Sequence, residues 1–186
     1  MSFAGHLVGS SVSIAATLFV ATGAHAQSDA RATDAFDFFK VFCIDTDGSS
    51  ARALSVIGTG NAMANRLPDS AVAQLQGQAG GVAWAVRSPS NAQLLLGYVP
   101  VGICEIRIAE ADEGSVLASF ADLTSSLQAS AKGELSKPEV RSQDKAHITY
   151  QTYRFDRAGK HALISLSSSD KKIGAQQHLI TFGFVQ

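Results

Sequence analysis

Charge of either sign is scarce in this chain. Only 17% of its 186 residues are Asp, Glu, Lys or Arg, and they nearly cancel to a net charge of −1. No basic excess is present to hold a phosphate backbone, which argues against general nucleic-acid binding. No block of like charge suggests an interaction tail. A Gly-x-Ser-x-Gly turn is missing, so serine hydrolases built on that elbow are disfavoured. No His-Glu-x-x-His pair exists, and the three histidines downstream of the N-terminal region, His147, His161 and His178, stand 14 and 17 positions apart. That spacing supplies no third convergent zinc ligand. Cysteine is reduced to two residues, Cys43 and Cys104, far from the Cys-x-x-Cys spacing of redox-active pairs.

What is present begins at the N-terminus. The first 26 residues hold no Lys, Arg, Asp or Glu. A short apolar run, Ser13 to Ala21, precedes Ala24-His25-Ala26, whose small residues stand at the −3 and −1 positions of a cleavage site. The run is interrupted by Ser and Gly and falls short of the ~20 residues a membrane span needs. Residues 1–26 therefore read as a signal peptide, and residues 27–186 as a single α+β domain in the periplasm or outside the cell, with no stable membrane span after cleavage. In an oxidising compartment a lone pair of cysteines on apolar faces is a structural disulfide, Cys43–Cys104. Closing a loop of that length is worth ~4 kcal/mol on chain-entropy grounds.

The spacing predicts a helix over Asp34 to Ile44, with Phe36, Phe39 and Cys43 on one face, capped by Thr33 or Asp34. Ser50 to Ile57 and Asp69 to Leu75 read as shorter helices. Three strands follow: Val82–Val86, Ala92–Val99 and the stretch around Cys104, where Cys104, Ile106 and Ile108 alternate with Glu105, Arg107 and Ala109. Glu113 to Ala131 carries Val116, Phe120, Leu123 and Leu127 at helical spacing, with Gly133 as its stop. Leu135 to Lys145 is polar and reads as a loop. Strands at His147–Phe155, His161–Ser167 and His178–Val185 close the chain, the last two separated by a polar turn over Ser168 to Gln176. The expected fold is α+β: two three-strand antiparallel meanders, a crossing helix between them, and N-terminal helices packed on the sheet.

Several stretches have compositions that bear on chemistry. Asp45-Thr46-Asp47-Gly48-Ser49 has calcium-loop composition, but the register puts Cys43 and Leu54 where carboxylates are needed, so a turn is expected. Gly58-Thr59-Gly60-Asn61-Ala62 lacks the third glycine and the downstream acid of a dinucleotide loop. Glu105, Glu110, Asp112 and Glu113 offer acids without a visible cleft, and those at the helix start suit its dipole. One of His147, His161 and His178 beside Asp156 or Asp170 could serve as a general base. The phenylalanines of 36–42 suggest either a buried helix or the wall of an apolar-ligand site. Tyr150 and Tyr153 cannot share a face of a regular strand, so one is expected at the surface near Arg154.

Phe39 and Cys43, the strand tryptophan Trp84 and the later Cys104 together resemble a group of small exported Gram-negative bacterial proteins without an established function. The resemblance implies export and a disulfide, and it implies no catalytic residues. Altogether the sequence points to an exported, non-enzymatic binding or accessory module of the bacterial envelope, with another envelope protein as its partner. It assigns no catalytic, cofactor or metal residues. The alternatives are a small periplasmic hydrolase using a His/Asp pair and a carrier of an apolar ligand.

Overall fold

The computed structural model describes residues 28–58 and 63–185. The expected signal peptide at residues 1–26 lies outside the described residues, as do residues 59–62 of the glycine-rich turn.

Helix α1 runs Ala30–Phe39, four residues ahead of the expected start. The reason is its cap: Asp29, not Thr33 or Asp34, accepts from the Arg31 backbone N–H. Buried Ala32, Ala35, Phe36 and Phe39 form its inner face. A π-helical turn, Lys40–Ile44, continues it. The widened turn leaves the Phe42 carbonyl open to side chains, and it accepts from the Tyr98 hydroxyl at 2.6 Å and from Thr46 Oγ1. Cys43 is thereby delivered to Cys104, with 5.4 Å between Cα atoms, and the two form the disulfide. Helix α2 is Ser50–Ile57, capped by Ser49. Helix α3 is Asp69–Gln76 and ends on Gly77 in the left-handed conformation. Helix α4 spans Glu113–Gln128, capped by Asp112, and buries Val116, Phe120 and Leu123.

Among the described residues nine strands form one antiparallel sheet, where the sequence pattern indicates six. They are β1 (Ala64–Arg66), β2 (Val82–Arg87), β3 (Gln93–Val99), β4 (Ile103–Ile108), β5 (Gly133–Leu135), β6 (Glu139–Gln143), β7 (Ala146–Arg157), β8 (Lys160–Ile173) and β9 (Gln176–Phe184). The order across the sheet is β1-β2-β3-β4-β9-β8-β7-β5, with β6 also paired to β7. Three expectations are corrected here. Gly133 does not stop the long helix but opens β5, pairing with Phe155. The stretch Leu135 to Lys145 is no loop, since β6 pairs with β7 from Glu139 to Gln143. The polar segment after Ser167 stays extended to Ile173, and the reversal is confined to Gly174 and Ala175.

Helices α1 and α4 touch each other and cover one face of the sheet. Trp84, Leu96, Ile106, Ile164, Ile180 and Phe182 fill that layer with Phe36, Phe39 and Phe120. The alternation in each strand sends its odd partners, including Glu105 and Arg107, to the second face. There α3 lies against β2. Among the described residues no helix is long and apolar enough to cross a membrane.

Candidate functional site

The second face carries a buried carboxylate. Glu105 is only 4% exposed. Its two oxygens accept from Arg107 Nε at 3.1 Å and Arg107 Nη2 at 3.2 Å, a forked pairing. Room for the carboxylate comes from Gly97, directly across on β3. A Cβ there would sit 2.8 Å from Glu105 Oε1 and 3.1 Å from Gln76 Nε2. Gly81 admits the other side of Gln76, whose Oε1 would lie 1.8 Å from a Cβ. The end of α3 therefore closes over Glu105 through two positions without side chains. Arg107 is held on a third side by Gln176, whose Oε1 accepts from Nη1 at 3.1 Å. A guanidinium has five N–H donors. These three bonds use three, and two remain.

Beside this arginine the sheet face dips into a hollow of about 540 Å³. The small residues Ala85 and Ala109 flank Leu95 on its floor, while Asn65, Arg87, Gln93 and Gln176 contribute polar groups to the lining. The tip of the β8–β9 hairpin, Ala175 and Gln176, forms one wall. Among the described lining residues none is Asp, Glu, His, Lys, Ser, Thr, Tyr or Cys. The site can bind through guanidinium and carboxamide groups, and its described lining residues include neither a nucleophile nor a group that exchanges protons near neutrality.

The histidines weighed from sequence are dispersed. His178 is buried, with Nδ1 2.8 Å from Ser168 Oγ and Nε2 3.1 Å from the Ala111 carbonyl. A carbonyl only accepts, so Nε2 carries the proton and Ser168 donates to Nδ1. Burial pushes its pKa down, which keeps the ring neutral. His161 and Asp156 do meet, at 2.8 Å, but their side chains are 85% and 71% exposed. The hollow beside them adds Arg154, Glu134 and Lys132 and, among the described residues, no hydroxyl or thiol. His147 faces solvent; its ring lies 3.2 Å from Ser142 Oγ, and its backbone N–H donates to Asp170.

The acids ahead of α4 are structural. Asp29 accepts from the Arg31 guanidinium and from the Asp112 backbone N–H, binding the start of α1 to the start of α4. The Arg31 contact, against the opposing effect of burial, lowers the Asp29 pKa to about 2. Glu113 accepts from the Thr149 hydroxyl, and burial raises its pKa, with Asp170 and Asp112 adding to the rise. Asp47, in the stretch with calcium-loop composition, is committed to Arg157 at 2.6 Å and Arg52 at 2.7 Å. Among the described residues no group of three or more His, Cys, Asp or Glu is placed to hold a metal ion. Phe36 and Phe39 occupy the interior, Phe36 edge-on to Phe120, while Phe38 stacks on Phe42. Of the two tyrosines, Tyr153 is fully buried against Phe155, and Tyr150 lies under Arg141 of β6.

Sequence reasoning placed Glu105 and Arg107 on one face of a strand but did not single out Arg107, Arg87 or Gln176. The available signal was the alternation of large polar with small residues on that face, Ala85 then Arg87, Arg107 then Ala109. Compared with protein-family models, curated proteins and solved structures, the chain matches none.

Proposed function

We propose that this chain is an exported, non-enzymatic binding or accessory module of the bacterial envelope, and that the hollow beside Arg107 is where it engages another envelope protein. One observation carries the reading: the described lining residues offer two guanidinium groups and three carboxamides on an apolar floor, with no nucleophile or base among them. That is recognition chemistry, pre-positioned by the buried Glu105. Export is supported by the charge-free N-terminal stretch with its small-residue cleavage site and by the Cys43–Cys104 disulfide, which is compatible with an oxidising compartment.

The test is crosslinking in intact cells from a photoreactive residue in place of Leu95, with Val140 on exposed β6 as the control position. A single partner, reproducible and in near-equal amount from position 95 alone, is the expected result. Adducts of equal yield from both positions would remove the reading. The hydrolase reading retains one specific observation, the His161–Asp156 pair. It requires that His161→Ala abolish the cellular phenotype of the protein, whereas the binding module tolerates that change.

A further inference from the structure

We infer that the hollow beside Arg107 receives a carboxylate carried on a short apolar body. This rests on the binding-module reading and adds the chemistry of what is bound. Charge is the first argument. Arg87, exposed at the end of β2, has no hydrogen-bond or ion-pair partner for its side chain among the described residues. No carboxylate lines the hollow among those residues. Counting Arg87, Arg107 and the Glu105 bound behind it, the site carries two positive charges and one negative, a net of +1. A single negative charge matches that balance; a dianion would leave one charge uncompensated.

Geometry is the second argument. Arg107 keeps two N–H donors after its three bonds to Glu105 and Gln176. Its plane is already held, so a planar two-oxygen acceptor costs little ordering there. The third is the floor. Ala85, Leu95 and Ala109 give an apolar surface, and about 540 Å³ lies within the range of small-ligand sites. Arg87 and Arg107 stand on strands either side of β3, so an acid lying across Leu95 reaches both rims.

Two sources share this chemistry: a small free acid, and the C-terminal residue of a protein chain. The purified exported protein, with its disulfide intact, is titrated with hexanoate and hexanamide, and separately with acetyl-Ala-Ala-Leu as its free acid and as its amide. Each acid is expected to saturate the amide resonances of Gln93, Leu95 and Gln176 and to bind about tenfold more tightly than its amide, the size of one charge-assisted contact. Arg87→Gln should erase that preference without moving the thermal midpoint, and added salt should weaken it. Tighter binding of the peptide acid identifies a chain end, and tighter binding of hexanoate a free acid. Equal binding of acid and amide, saturation at other residues, no saturation by any probe, or an intact preference in Arg87→Gln overturns the inference. Those outcomes leave the module standing if the position-95 crosslink persists, whereas loss of that crosslink removes the module itself.

Discussion

A buried imidazole that accepts from Ser168 and donates to a main-chain carbonyl must stay neutral to keep both bonds. For His178 the sign of the pH effect follows. Its folded pKa is depressed by burial below the ordinary value, so beneath about pH 6.5 the unfolded chain takes up a proton that the folded chain refuses. Stability contributed by this group is complete above that pH and falls as the solution is acidified, by up to ~1.4 kcal/mol per pH unit. Thermal midpoints of the wild type should therefore drop between pH 7.5 and 5.5, and His178→Gln should flatten the drop. Parallel slopes for the two proteins would show that His178 does not set the acid limb. None of this was legible from sequence, where His178 reads as one more strand-end histidine. Its partners stand 10 and 67 positions away, and only the β8–β9 pairing and the approach to α4 bring them in. Arg87 was hidden for a related reason: an arginine on a strand looks ordinary until the neighbouring strands show that, among the described residues, no acid pairs with it.

Elements were legible where burial imposed a period. Ser50–Ile57 matches its expected bounds, and the strands β2, β3 and β4 follow the alternation of apolar residues. They were missed where pairing alone makes the strand. Every residue of β6 is exposed, so its side chains carry no two-residue pattern, and its extended form comes from backbone bonding to β7. In the second half of β8, Asp170, Lys171 and Lys172 are likewise polar and exposed. The tie of the N-terminal helical segment to β4 through Cys43 and Cys104 was legible, because two cysteines on apolar faces have one partner choice each. Both are fully buried. Replacing both with Ala should lower unfolding free energy by ~2–5 kcal/mol, read from denaturant midpoints. Reductant added to the native protein should leave the bond intact, because no thiolate reaches either sulfur without opening the helix layer. A loss smaller than ~0.5 kcal/mol would mean that the helical turn docks by packing alone and that the bond adds little.

At the scale of the molecule, β4 is the seam. Its neighbours are β3, close before it in the chain, and β9, which arrives after another 67 residues. Ile106 faces Ile180 across that seam, and both are fully buried. On one side β4 holds the disulfide to the π-helical turn that follows α1; on the other it holds Glu105 and Arg107. The same strand thus ties the N-terminal helix to the sheet and orients the candidate binding group, which couples recognition to the integrity of the core. Sheet centre and sheet edge should then differ in how they open. The β4–β9 amides around Ile106 and Ile180 should exchange hydrogen only through global unfolding, at the free energy measured by denaturant. Those of β6, whose residues are all exposed, should exchange by local fraying at a far lower free energy and without denaturant dependence. If β4–β9 amides exchanged ahead of those in β7 and β8, the two halves would separate as independent units, and Arg107 would lose its fixed setting whenever they did.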